Sequence, residues 1–161
     1  MNIFRSITFI ALIIVGTIIA HGTVHAATLS MKPKTSAVKV GTPLTVKLVL
    51  DSANQPVNSA EATITFQKKL LKFTKVATKE SVFSLWAIKP FGSNKAGTVA
   101  FAAGKKNPGF KGRGAIIIRI TFIPKKAGTA NVKITKANVL ANDGKGTNVL
   151  TKVSNTKVQI Q

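Results

Sequence analysis

Ala60-Glu61-Ala62-Thr63-Ile64-Thr65-Phe66 sets small or apolar residues at every second position and polar ones between them. A period of two sends Ala60, Ala62, Ile64 and Phe66 to one face of a strand, and Glu61, Thr63 and Thr65 to the other. The same spacing recurs on either side. Leu44, Val46, Leu48 and Leu50 alternate with Thr45, Lys47 and Val49, and Val99, Phe101 and Ala103 repeat the step. Ile116, Ile118, Ile120 and Phe122 follow, then Ala130, Val132 and Ile134. Turn signals separate the runs: Asn54-Gln55-Pro56, Gly92-Ser93-Asn94, Asn107-Pro108-Gly109, Gly112-Arg113-Gly114 and Asn142-Asp143-Gly144. Many short strands at this spacing predict an all-β sandwich or barrel. A helical turn at Gln67–Leu71 is the one local exception. The run from Ala115 to Pro124 carries Ile117 and Ile123 among its outward positions, which predicts a central, covered strand ended by proline.

Outside this pattern lies the start of the chain. Arg5 precedes a nearly continuous apolar run, Ile7–Ala20, and Val24-His25-Ala26 closes it with small or apolar residues at the positions a signal peptidase reads. The order predicts a secretion signal at 1–26, cleaved after Ala26, and a single domain at 27–161. The apolar run is shorter than the ~20 residues a membrane span needs, and no second such run follows. The expected location is therefore extracellular or in the cell envelope, with no membrane span after cleavage.

Composition narrows the chemistry. The 161 residues hold 24 Lys and Arg against 4 Asp and Glu, a formal net charge of +20, with no cysteine. His21 and His25, the only histidines, fall within the leader. The domain therefore has no histidine to activate a hydroxyl nucleophile and no His or Cys ligands for zinc or copper. Its carboxylates are Asp51, Glu61, Glu80 and Asp143. No enzyme, cofactor or metal is expected. Asn142–Asn148 loosely resembles a calcium loop, but it offers one carboxylate and contains Lys145, so a structural turn at Asp143-Gly144 is expected.

The order of segments resembles the cohesin domain family, from about Ala27 to about Leu150. It shows in Leu29-Ser30-Met31, in Val40–Val46 leading into Leu48–Asp51, in Val57–Phe66 and in Leu70–Phe73. Thr98–Gly104 is similar to the family's middle strand. Gly109–Gly114 followed by Ile116–Phe122 resembles its glycine loop and long central strand, and Val139–Gly144 its late loop. The resemblance implies a jelly-roll-like sandwich of about nine strands that binds another protein, a dockerin-like module, in the setting of polysaccharide degradation. In familiar cohesins an Asn and an Asp two residues apart on an outward strand face contact the dockerin. Alignment on Phe66 and Leu71 puts Ser59 and Glu61 at those positions, so the expected contact face is Ser59, Glu61, Thr63 and Thr65. Ser replaces Asn, Glu replaces Asp, and the family's Asp-Pro after this strand is Gln67-Lys68.

Two alternatives stand beside it. A carbohydrate-binding module would use Trp86 with Phe83 and Phe91, whose rings would stack on sugar faces. A cationic envelope protein would be held by charge, with Lys105, Lys106, Lys111 and Arg113 crowding one glycine-rich loop. Such a field attracts polyanions nonspecifically. All basic residues but Arg5, Arg113 and Arg119 are lysine, which argues against specific nucleic-acid recognition through arginine forks.

Overall fold

A computed structural model describes residues 27–161, so the secretion signal expected at 1–26 lies outside the described residues. Eleven strands follow in order: β1 (Ala27–Pro33), β2 (Ala37–Val38), β3 (Leu44–Asp51), β4 (Val57–Phe66), β5 (Leu71–Ala77), β6 (Leu85–Ser93), β7 (Thr98–Gly104), β8 (Ala115–Pro124), β9 (Gly128–Ala141), β10 (Leu150–Ser154) and β11 (Thr156–Ile160). They form two sheets, one ordered β10-β1-β3-β8-β5 and the other β2-β11-β9-β4-β7-β6. The count exceeds the expected nine. β2 is a two-residue strand, and a single residue, Asn155, divides the last stretch into β10 in one sheet and β11 in the other.

The sheets face each other over one core. Leu44, Val46, Leu48 and Leu50 point inward from β3; Ala60, Ala62, Ile64 and Phe66 from β4; Val99, Phe101 and Ala103 from β7. Each buried Leu, Ile, Val or Phe contributes about 1.5–3 kcal/mol relative to exposure. Phe122 at the centre meets Phe66 at 5.0 Å and Phe73 at 6.5 Å between ring centroids.

β8 is central, between β3 and β5, as the doubly apolar pattern requires. Ile117, expected to point outward, is fully buried beside Ile118. The β3–β8 register shifts between Leu48 and Val49, whose partners are Ile118 and Ile116, so Ile117 occupies a bulge. Val82 N donates to Ile116 O, drawing the loop 78–84 alongside it. Gln67–Leu71 is a tight turn in which Leu70 N and Leu71 N both donate to Gln67 O. Gly92 and Ser93, read as turn residues, complete β6 instead, and the turn begins at Asn94.

The strand directions give the sandwich two ends. Loops 52–56, 105–114 and 142–149 are tied together at the first, where Ser52 N donates to Gly112 O and Asn142 Nδ2 to Pro108 O. Turns 67–70, 94–97 and 125–127 and the segment 34–43 gather at the second, through Phe66 N to Gly97 O, Lys125 N to Leu70 O and Gly41 N to Pro124 O.

Candidate functional site

The outer face of the six-stranded sheet is built in rows, because directly paired residues share a face. One row runs Leu140, Ser59, Gly104, Leu85 across β9, β4, β7 and β6. Beside it run Asn138, Glu61, Ala102, Ile88, and then Lys136, Thr63, Ala100, Phe91. Lys133, Thr65, Thr98 and Ser93 form the row nearest the second end. Ser59, Glu61, Thr63 and Thr65 are therefore brought together on one outward line. The face changes character across its width: cationic on β9, polar on β4, and small or apolar on β7 and β6.

Two open depressions flank Glu61. One, about 270 Å³, is lined by Glu61, Thr63, Ile88, Ala100, Lys136 and Asn138. Its neighbour, about 450 Å³, is lined by Ser59, Glu61, Leu85, Ala102, Gly104 and Leu140 among others. The alanines and Gly104 leave a low floor, and Leu85, Ile88 and Phe91 are exposed by 46%, 50% and 56% beside it. Exposed apolar residues grouped this way mark a binding surface more than scattered ones do. Glu61 is exposed but held: Asn138 Nδ2 donates to Glu61 Oε1 at 2.7 Å. Asn148 Nδ2 in turn donates to Asn138 Oδ1 at 2.8 Å, and Asn148 Oδ1 accepts from Val139 N and Leu150 N. A relay of amides thus orients the one carboxylate of the face from the backbone of Val139 and Leu150, which flank the 142–149 loop.

The sequence pattern points to β4 but misses β6. Leu85–Ser93 contains Pro90, and its pairing with β7 shifts register twice, between Trp86 and Ile88 and between Ile88 and Phe91. Those irregularities erase the period-two signal. Asn138, Lys136 and the apolar flank follow only from knowing which strands neighbour β4.

The aromatic patch does not form. Phe83 is 2% exposed and belongs to the core. Trp86 pairs with buried Ala103 and points inward, half-buried, its ring edge-on to Phe101 at 6.2 Å. Phe91 pairs with Ala100 and points outward. Three rings with two opposite directions share no surface. Lys105, Lys106, Lys111 and Arg113 lie in the loop 105–114 at the first end, where Arg113 Nε stands 3.8 Å from the Asp51 carboxylate.

The remaining acids have structural partners. Asp143 Oδ1 accepts from Lys145 N at 2.9 Å, and Oδ2 accepts from the Thr147 hydroxyl. These bonds close the turn and hold the carboxyl below its ordinary value, the Thr147 bond being the larger cause. Glu80 pairs with Arg119 Nη2, whose hydrogen bond lowers the Glu80 pKa. Among the described residues no helix is long and apolar enough to cross a membrane.

The cohesin domain model matches residues 29–161. The chain belongs to the cohesin domain family. Solved cohesins share the fold at low identity. The seventh ScaB type I cohesin from Pseudobacteroides cellulosolvens is 14% identical, with a TM-score of 0.69 over 84% of this chain and 92% of that one. The OlpC cohesin of Clostridium thermocellum, solved with its dockerin Doc435, is 13% identical with a TM-score of 0.70, covering 85% and 94%. A non-cellulosomal cohesin from the archaeon Archaeoglobus fulgidus is 16% identical, with a TM-score of 0.67 over 84% and 91%. No curated protein matches the sequence.

Proposed function

We propose that this cohesin is a secreted, non-catalytic module whose β9-β4-β7-β6 face docks a dockerin-type protein. The observation that carries the reading is the face itself: an oriented Glu61 between shallow depressions, with exposed Leu85, Ile88 and Phe91 along one side. A relative of the same fold, the OlpC cohesin, was solved in a cohesin–dockerin complex. The lateral change from apolar β6 to cationic Lys133 and Lys136 suits a helix with an apolar stripe on one side and acidic residues on the other. Secretion is supported by the charged, apolar and small-residue order of residues 1–26. The domain boundary at Ala26/Ala27 is part of the same proposal.

The test is binding of the purified protein to dockerin-bearing proteins and to a polysaccharide array, at low and high salt. Ile88→Asp and Glu61→Lys are each expected to weaken dockerin binding by about tenfold or more, as for central interface residues, without loss of fold. Dockerin binding untouched by both changes would remove this face from the reading. Binding that disappears at high salt for every ligand would sink specific docking altogether. Sugar binding abolished by Phe91→Ala would replace protein docking with carbohydrate recognition.

A further inference from the structure

Charge is unequally divided between the ends of the sandwich. Asp51 and Asp143 sit at the first end, with Glu80 in the loop 78–84 beside it and Glu61 on the sheet face. At the second end, the segments 34–43, 67–70, 94–97 and 125–127 each carry lysine and no Asp or Glu side chain. Their backbones are bonded to one another, so these lysines cannot spread apart as separate flexible loops would. Lys69, Lys72 and Lys125, with Lys68 and Asn94, line one open depression of about 460 Å³. Lys126 lines an adjoining depression of about 590 Å³ with Lys68, Lys69 and Leu70. Two members are already fixed: Lys68 Nζ donates to Lys95 O at 2.7 Å, and the Asn94 amide is bonded to the Phe73 backbone.

We infer that this end is a docking site for a linear, base-free polyanion, one with carboxylate or phosphodiester groups regularly spaced along a flexible backbone. Lysines converging in a depression lined by no acidic side chain repel one another, and an external anion relieves that repulsion while releasing its own counterions. The ammoniums come from separate turns, so together they match a chain of charges rather than a single ion. Both described arginines lie elsewhere, at Arg113 and Arg119, so no guanidinium fork is available to grip a base edge. The lining of the lysine depression holds no aromatic ring on which a nucleobase would stack. The site is separate from the dockerin-type face and stands whether or not that reading holds; together they would let one domain hold a protein partner on its flank and an anionic matrix at its end.

The experiment compares two charge-matched triple variants of the purified protein by isothermal titration across a salt series. One is Lys69→Gln, Lys72→Gln, Lys125→Gln; the other, at the first end, is Lys105→Gln, Lys106→Gln, Lys111→Gln. The probes are polygalacturonate, poly(glycerol phosphate), poly-dT and neutral dextran. The second-end variant is expected to lose about tenfold or more in affinity for one or both of the first two probes, with a shallower salt slope. The first-end variant should lose less than about twofold, since it changes net charge equally but not the site. Which of the two probes binds tighter identifies carboxylate or phosphodiester as the source. Equal losses in both variants would overturn the inference in favour of net charge alone. Poly-dT bound as tightly as the base-free polymers would overturn the choice of polymer, and dextran binding would overturn its electrostatic basis. Thermal melting of both variants close to the parent shows that any loss is not unfolding, and dockerin binding by the second-end variant keeps the two proposals separable.

Discussion

At the scale of single residues, space and charge decide outcomes that composition hides. Gly92 sits on the inward face of β6, and a Cβ there would lie 2.5 Å from the Phe73 ring. That ring is packed against Phe122, so it has little room to yield. Gly92→Ala is expected to destabilise the protein by about 1–3 kcal/mol, the cost of overpacking, measured by urea denaturation. Glu80 gives a pH dependence with a definite sign. The Arg119 hydrogen bond depresses its carboxyl below the ordinary 4.5. The folded state therefore gains stability above that value and loses it as pH falls through the depressed one. Melting temperatures should decline between pH 5 and pH 3, and Glu80→Gln should make the decline shallower. Glu61 was legible in the sequence because alternation alone sends it outward. The burial of Ile117 was not, because a bulge depends on the register of a neighbouring strand.

At the scale of elements, legibility followed regularity. β3, β4 and β7 announce themselves because each has one covered and one open face, so every second side chain is apolar. β8 is readable for the opposite reason, being apolar on both faces. β6 escaped because it is an edge strand broken by Pro90 and two register shifts, yet it supplies the apolar side of the candidate face. What fixes that strand is partly a side chain. Asn94 Oδ1 accepts from Phe73 N at 2.7 Å and Asn94 Nδ2 donates to Phe73 O at 2.9 Å. One amide thereby joins β5 of the first sheet to the turn after β6 of the second. Asn94→Ala removes both bonds and is expected to cost about 1–2 kcal/mol. It should also raise amide exchange at Phe73 and in the 94–97 turn, which hydrogen-exchange mass spectrometry reads directly.

At the scale of the whole molecule, the sequence shows an excess of lysine but not its polarity. The lysine pairs Lys68-Lys69 and Lys125-Lys126 are far apart in sequence and meet only because β4 and β8 end on the same side of the sandwich. The pair Lys105-Lys106 looked equally basic in sequence, but it shares its end of the fold with Asp51 and Asp143. The proposed surfaces are properties of topology: the candidate docking face needs β9, β4, β7 and β6 in that order, and the cationic end needs three turns stacked together.

The pairing of β1 with β10 also fixes a sequence of events in time. Thr151 Oγ1 reaches Ala27 O across 124 positions of chain, and β10 and β11 each close a different sheet. Until residues 150–160 leave the ribosome, β1 and β9 each present an unpaired edge, and neither half of the sandwich can finish without the other. Contacts this distant in sequence make folding slow. Both sheets of the domain are thus completed by the same short stretch of chain, residues 150–160.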